Sequence, residues 1–185
     1  QKVNSDLVGK VVNIASRCAK FIANGNDGVL SKSIDNQALW QQVTGAAETI
    51  ATHYENLDYG KAIREIMAQA DAANEYIAAK EPWKLNKQPD QHQQVQDICS
   101  LGINLFRVIL AYLKPVLPAM AANGEAFLND QLSWKNLSQP LLNHKIEAFK
   151  PLMQRIEKAT VDAMVEASKE IVAEEKINAP RGPLM

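Results

Sequence analysis

Glycine and proline are scarce, eight of each in 185 residues, and alternating β-branched runs are rare. That argues against a turn-rich β architecture and leaves a helical pattern nearly throughout. Two cysteines, Cys18 and Cys99, are too few for a disulfide framework, and neither belongs to a CxxC pair. A reducing cytosol is the simplest compartment for such a chain. The longest apolar run, about Val108 to Leu113, falls far short of the roughly 18 residues needed to span a bilayer, so no membrane span is expected. No basic stretch followed by an apolar one opens the chain, so no signal peptide is expected. The chain starts at Gln1 rather than methionine and reads as a piece of a longer protein.

Charge of one sign is also missing. Twenty basic residues face 21 acidic ones. A domain held to nucleic acid mainly by its phosphates would be strongly basic. Any RNA binding here has to be local and base-directed, or supported by other parts of a larger protein. Catalytic motifs are absent too: no GxSxG, HExxH, P-loop or GxGxxG occurs. His53, His92 and His144 are scattered, and none has a carboxylate or second histidine at metal-ligand spacing. An autonomous helical hydrolase therefore lacks both nucleophile and metal set.

What the sequence does hold is helical periodicity. Asn4 or Ser5 can cap a first helix reaching about Ala23, with Leu7, Val11, Ile14, Ala15, Cys18 and Ile22 on one face. A second helix is expected from about Gln37 to Asn56. A third, capped by Asp58, reaches about Lys80 and carries Tyr59, Ile63, Ile66, Met67, Ala70, Ala73 and Ile77 on its apolar side. A fourth, about Gln91 to Lys114, is apolar almost all round in "INLFRVILAYL" and should be the central buried helix. Pro115 and Pro118 break it before a fifth helix to about Asn129. The stretch after Asn129 reads as irregular. Thr160 can cap a last helix, and "INAPRGPLM" reads as a disordered tail. The fold class is all-α: a bundle of about five helices, residues 1–140, plus a C-terminal helical arm, residues 141–185.

Four positions bear on binding. Asn13 and Arg17 lie about 40° apart on the first helix, opposite its apolar stripe, and Asp6, Lys10 and Lys20 share that face. Asparagine and arginine are the side chains best suited to fork onto base edges. By spacing alone, a plain solvated helix face explains them as well. Trp83 follows Pro82 at the end of the third helix. It either caps the open end of the core or offers a platform on which an unpaired base stacks. Trp40 and Trp134 read as packing residues. Asn74 falls on the apolar side of the third helix and needs partners. It is expected to bond to neighbouring backbone and to fix how the chain leaves toward Trp83.

Taken together, "KVVNIASR", "GKAIREIMAQADAANEYIAAKEPW", "LFRVILAYLKPVLPAM" and "HKIEAFKPLMQRIE" resemble the methionyl-tRNA synthetase family, in its C-terminal anticodon-binding domain of bacterial type. The likeness runs from about Lys2 to Lys169. It implies recognition of the CAU anticodon of methionine tRNAs through Asn13, Arg17 and Trp83; Asn74, by its buried amide, and Pro82, by stopping the third helix, are expected to support that site. It also implies a separate catalytic domain of the same protein that joins methionine to tRNA with ATP, magnesium and zinc; no cofactor is implied for this piece. "LSKS" at Leu30–Ser33 mimics the end of a synthetase signature but lies in the wrong domain. The appended domain that dimerises many bacterial members is not in the chain, so a monomer is expected, in the cytoplasm. The arm would fold back toward the catalytic domain. The competing reading is a helical scaffold with no RNA role, in which Trp83 is buried against partner helices.

Overall fold

The computed structural model describes residues 3–152 and 158–178. The chain forms two compact units, Gln1–Gln154 and Arg155–Met185. The described residues form helices and no strand. The expected boundary at Pro140 falls inside the first unit.

A π-helical segment, Val3–Val12, runs into α1 (Asn13–Asn26), so Asn4 and Ser5 lie within helix rather than before it. Asp27, in the left-handed region, ends α1, and Gly28 follows at φ 81°. A side chain at Gly28 would place its Cβ 2.9 Å from the Ile146 carbonyl, so the turn after α1 requires glycine. The expected second helix is two helices, α2 (Gln37–Gly45) and α3 (Ala47–Glu55). The break has a cause outside the segment: the Tyr112 hydroxyl lies 2.8 Å from the Val43 carbonyl and 3.1 Å from that of Thr44. Asn36 caps α2, accepting from the Leu39 N–H at 3.0 Å.

α4 (Tyr59–Lys80) follows, but Asp58 makes no side-chain cap. Its carboxylate instead takes the Lys61 ammonium at 2.6 Å. Glu81 in the left-handed region ends α4, and Pro82 opens the short α5 (Pro82–Leu85). α6 (His92–Leu113) is the centre of the bundle, and α1, α2, α4, α5 and α7 (Pro118–Leu128) all pack on it. Every residue from Ile98 to Leu113 is buried. By length and composition, Pro89–Leu113 is apolar enough to cross a membrane, which the reading of short runs did not anticipate. However, 94% of its apolar window is buried inside the bundle.

Residues 129–152 contain one 3-10 turn, Trp134–Asn136, and are held by side chains of α6. Asn104, fully buried, accepts from the Leu141 N–H at 2.7 Å and donates to the Leu141 carbonyl at 3.1 Å. Arg107, 2% exposed, pairs with Asp130 at 2.6 Å and donates to the carbonyls of Asn136 and Gln139. His144 donates from Nε2 to the Leu128 carbonyl at 2.7 Å, and Val29 bridges Lys145. Trp134 packs on Tyr112 and Tyr54, and Trp40 is buried, so both serve the core as expected.

In the second unit, α8 (Lys158–Asn178) begins before Thr160, which is therefore not its cap. Val161, Met164 and Val165 are exposed along it. Of the expected tail, Ile177 and Asn178 belong to α8 and the rest lies outside the described residues.

Candidate nucleic-acid interface

Burial of Ile14, Ala15, Cys18 and Ile22 fixes the rotation of α1 on α6. That rotation turns Asn13 and Arg17, one helical turn apart, to the rim of the bundle, where both are half-buried. Ser16 and Lys20 beside them are exposed.

The N-terminal end of this face is tied to α4. Lys10 bridges to Asp71 at 2.8 Å, and the contact holds its ammonium above the ordinary lysine value. Lys10 is thus committed to packing two helices together, which its place on the polar face did not reveal. One turn on, the Asn13 amide nitrogen donates to Asn74 Oδ1 at 3.4 Å. The Asn74 amide nitrogen donates to the Ala70 carbonyl at 2.9 Å and to the Lys10 carbonyl at 3.2 Å. Asn74 does bond to a neighbouring backbone, but that of the first helix, and its side chain reaches Asn13 rather than the exit toward Trp83.

The exit is set elsewhere. Glu81 adopts φ 46°, ψ 55°, and the Glu81 N–H donates to the Ile77 carbonyl. Pro82 is buried at the first position of α5, where its missing N–H costs nothing. The hydroxyl of Tyr76 and the ammonium of Lys80 both meet Asp35, fastening the end of α4 to the preceding linker. Burial, with Asp35 alongside, pushes the Tyr76 phenol well above its ordinary range.

Trp83 therefore sits on a short, held helix and is 37% exposed. The Arg17 guanidinium lies over its ring, 4.7 Å from the centroid. The sequence placed Arg17 beside Asn13 but gave no sign of its stacking on Trp83. The fold thus gathers Asn13, Arg17, Asn74 and Trp83 at one end of α1 and α4. Such a group can offer an aromatic face, a planar cation and an amide to an unpaired base. Leu30 and Ser31 of "LSKS" are buried, with the Ser31 hydroxyl donating to Asp97 at 2.6 Å, so that stretch serves the bundle. Among the described residues no group of three or more His, Cys, Asp or Glu could hold a metal ion.

The family profile described as the anticodon binding domain of methionyl tRNA ligase matches residues 29–157. The chain belongs to this family. Asn74, Pro82 and Trp83 lie within the matched residues; Asn13 and Arg17 precede them. The fold is similar to that of Mycobacterium tuberculosis methionyl-tRNA synthetase. The apo form matches with a TM-score of 0.75 and 19% identity, over 84% of this chain and 34% of that one. The same enzyme in complex with methionyl-adenylate matches with a TM-score of 0.74 and 20% identity, over 83% and 32%. The chain thus spans about a third of the length of those enzymes.

Proposed function

We propose that this domain reads the CAU anticodon of methionine tRNAs within a methionine–tRNA ligase. Trp83 stacks on an unpaired anticodon base, and Asn13 and Arg17 hydrogen-bond base edges. The observation carrying this reading is the convergence of Arg17 and Trp83, from separate helices, on one partly exposed aromatic face. A scaffold bundle would bury that tryptophan; its exposure beside a planar cation counts for a base-stacking role. Base–aromatic stacking contributes about 1–3 kcal/mol per base, which a near-neutral domain needs in place of phosphate contacts.

On this reading the rest of the ligase, in the cytoplasm, activates methionine with ATP and holds the magnesium and zinc, and this piece is monomeric. By the same reading α8, in the second unit, belongs to the arm that turns toward the catalytic domain. The exposed Val161, Met164 and Val165 support a packing role for α8.

Titrating tryptophan fluorescence with CAU and CUU stem-loops tests the proposal, with Trp83→Phe as the control that isolates Trp83. CAU should change the signal saturably and bind at least about tenfold tighter than CUU. An unchanged signal with equal, negligible binding would return the domain to a scaffold role.

A further inference from the structure

Resting on the anticodon reading above, we infer that Asn74 is a positioning residue that fixes which end of the Asn13 amide meets RNA, and so selects bases bearing an exocyclic amine. Both partners of the Asn74 amide nitrogen, the Lys10 and Ala70 carbonyls, can only accept. They therefore hold the Asn74 nitrogen toward themselves and its Oδ1 toward Asn13. An acceptor at that place requires a donor from Asn13, and the Asn13 nitrogen supplies it at 3.4 Å. Turning the Asn13 amide over would set two oxygens against each other.

The consequence is chemical. In a planar amide the oxygen lies on the branch opposite the nitrogen. With its nitrogen drawn to Asn74, half-buried Asn13 turns Oδ1 away from Asn74, as an acceptor for an incoming group. A base meeting that oxygen has to donate. In CAU, cytosine offers its N4 amine and adenine its N6 amine, whereas uracil presents an acceptor at the matching position. The Lys10–Asp71 bridge at 2.8 Å, one turn earlier, keeps the two helices in the register on which the relay depends.

The test uses the 185-residue chain and three stem-loops: CAU, UAU, and CAU with purine nucleoside in place of adenosine. The last two each remove one exocyclic amine. Wild type should bind one of them about tenfold more weakly than CAU, identifying the amine that is read. Asn74→Ala should bring that ratio to within about threefold while the chain keeps its helical circular dichroism. Trp83→Ala should weaken all three loops alike and leave the ratio intact. Asn13→Ala, at a half-exposed site, serves as the second variant and should also erase the ratio. If Asn74→Ala keeps the wild-type ratio, Asn74 does not orient Asn13. If wild type binds CAU but tolerates both substituted loops, the acceptor assignment fails and the anticodon reading stands. If wild type does not bind CAU, both fall.

Discussion

The Arg17 guanidinium carbon stands 4.7 Å from the centroid of the Trp83 ring, so in the free domain a cation covers one face of that ring. A cation–π contact at an exposed site is worth only about 0.5–1 kcal/mol, less than a stacked base. On the proposed reading, RNA displaces Arg17 or uses the opposite face, and either way the arginine stays beside the stacked base. Trp83→Ala should lower affinity for a CAU stem-loop by more than about tenfold. Arg17→Ala should weaken binding less and relax base discrimination, while raising acrylamide quenching of Trp83 in the free protein. Mutants that bind as wild type does would sink this site assignment.

Arg107 should dominate the stability of residues 129–152. Its side chain is 2% exposed, and it holds Asp130 at 2.6 Å and two backbone carbonyls at once. Arg107→Ala leaves Asp130 and those carbonyls without their donor, a loss of about 3–5 kcal/mol for a buried pair. Chemical denaturation should register it as a lower midpoint. A cost under about 1 kcal/mol would place the pair with ordinary surface bridges.

How far the sequence revealed all this depended on where each determinant lies. α6 was legible because sixteen successive buried residues, Ile98 to Leu113, leave an apolar signal in one local window. Pro82 and Trp83 were legible because a proline marks a helix boundary whatever surrounds it. The division between α2 and α3 was hidden, since the hydroxyl that takes the Val43 and Thr44 carbonyls comes from Tyr112 in a distant helix. Residues 129–152 looked irregular for the same reason. Their backbone partners include Asn104 and Arg107, which as single polar residues in an apolar helix carry no sign of what they bind. In the site, Asn13 and Arg17 share a turn and could be paired by spacing. Their joining to Asn74 and Trp83 depends on how α1, α4 and α5 sit around α6, which no local pattern encodes.

Gly102 of α6 lies directly against Cys18 of α1. A Cβ there would fall 2.6 Å from the Cys18 sulfur and 3.4 Å from Ile77. Both side chains are fully buried and have little room to retreat. Gly102→Ala should therefore cost about 1–3 kcal/mol despite alanine's better helix propensity. Cys18→Ala removes the clashing atom, so the double variant should be more stable than the sum of the two single effects. A double-mutant cycle on melting measures that coupling, and simple additivity would mean the helices separate to absorb the methyl.

Acid should loosen the end of α7 through Glu125. Its Oε1 takes the Lys114 ammonium at 2.6 Å and the Leu132 N–H at 2.9 Å, and Lys114 also donates to the Leu132 carbonyl. The hydrogen bond from Lys114 is the main reason the Glu125 carboxyl lies below its ordinary value of 4.5, and the Leu132 N–H adds to it. A depressed carboxyl means that the unfolded chain takes up its proton first as pH falls. The stabilisation is present above about pH 4.5 and is lost as pH drops through the lower folded value. With the glutamate side chain 23% exposed and the lysine 41%, water and salt screen part of the effect. Glu125→Gln should melt lower than wild type near neutral pH, and its melting temperature should fall less steeply between about pH 5 and about pH 3. The other carboxylates titrate alike in both proteins, so the difference between the two curves isolates Glu125. Parallel curves would mean that the Lys114 contact contributes no ionic stabilisation in solution.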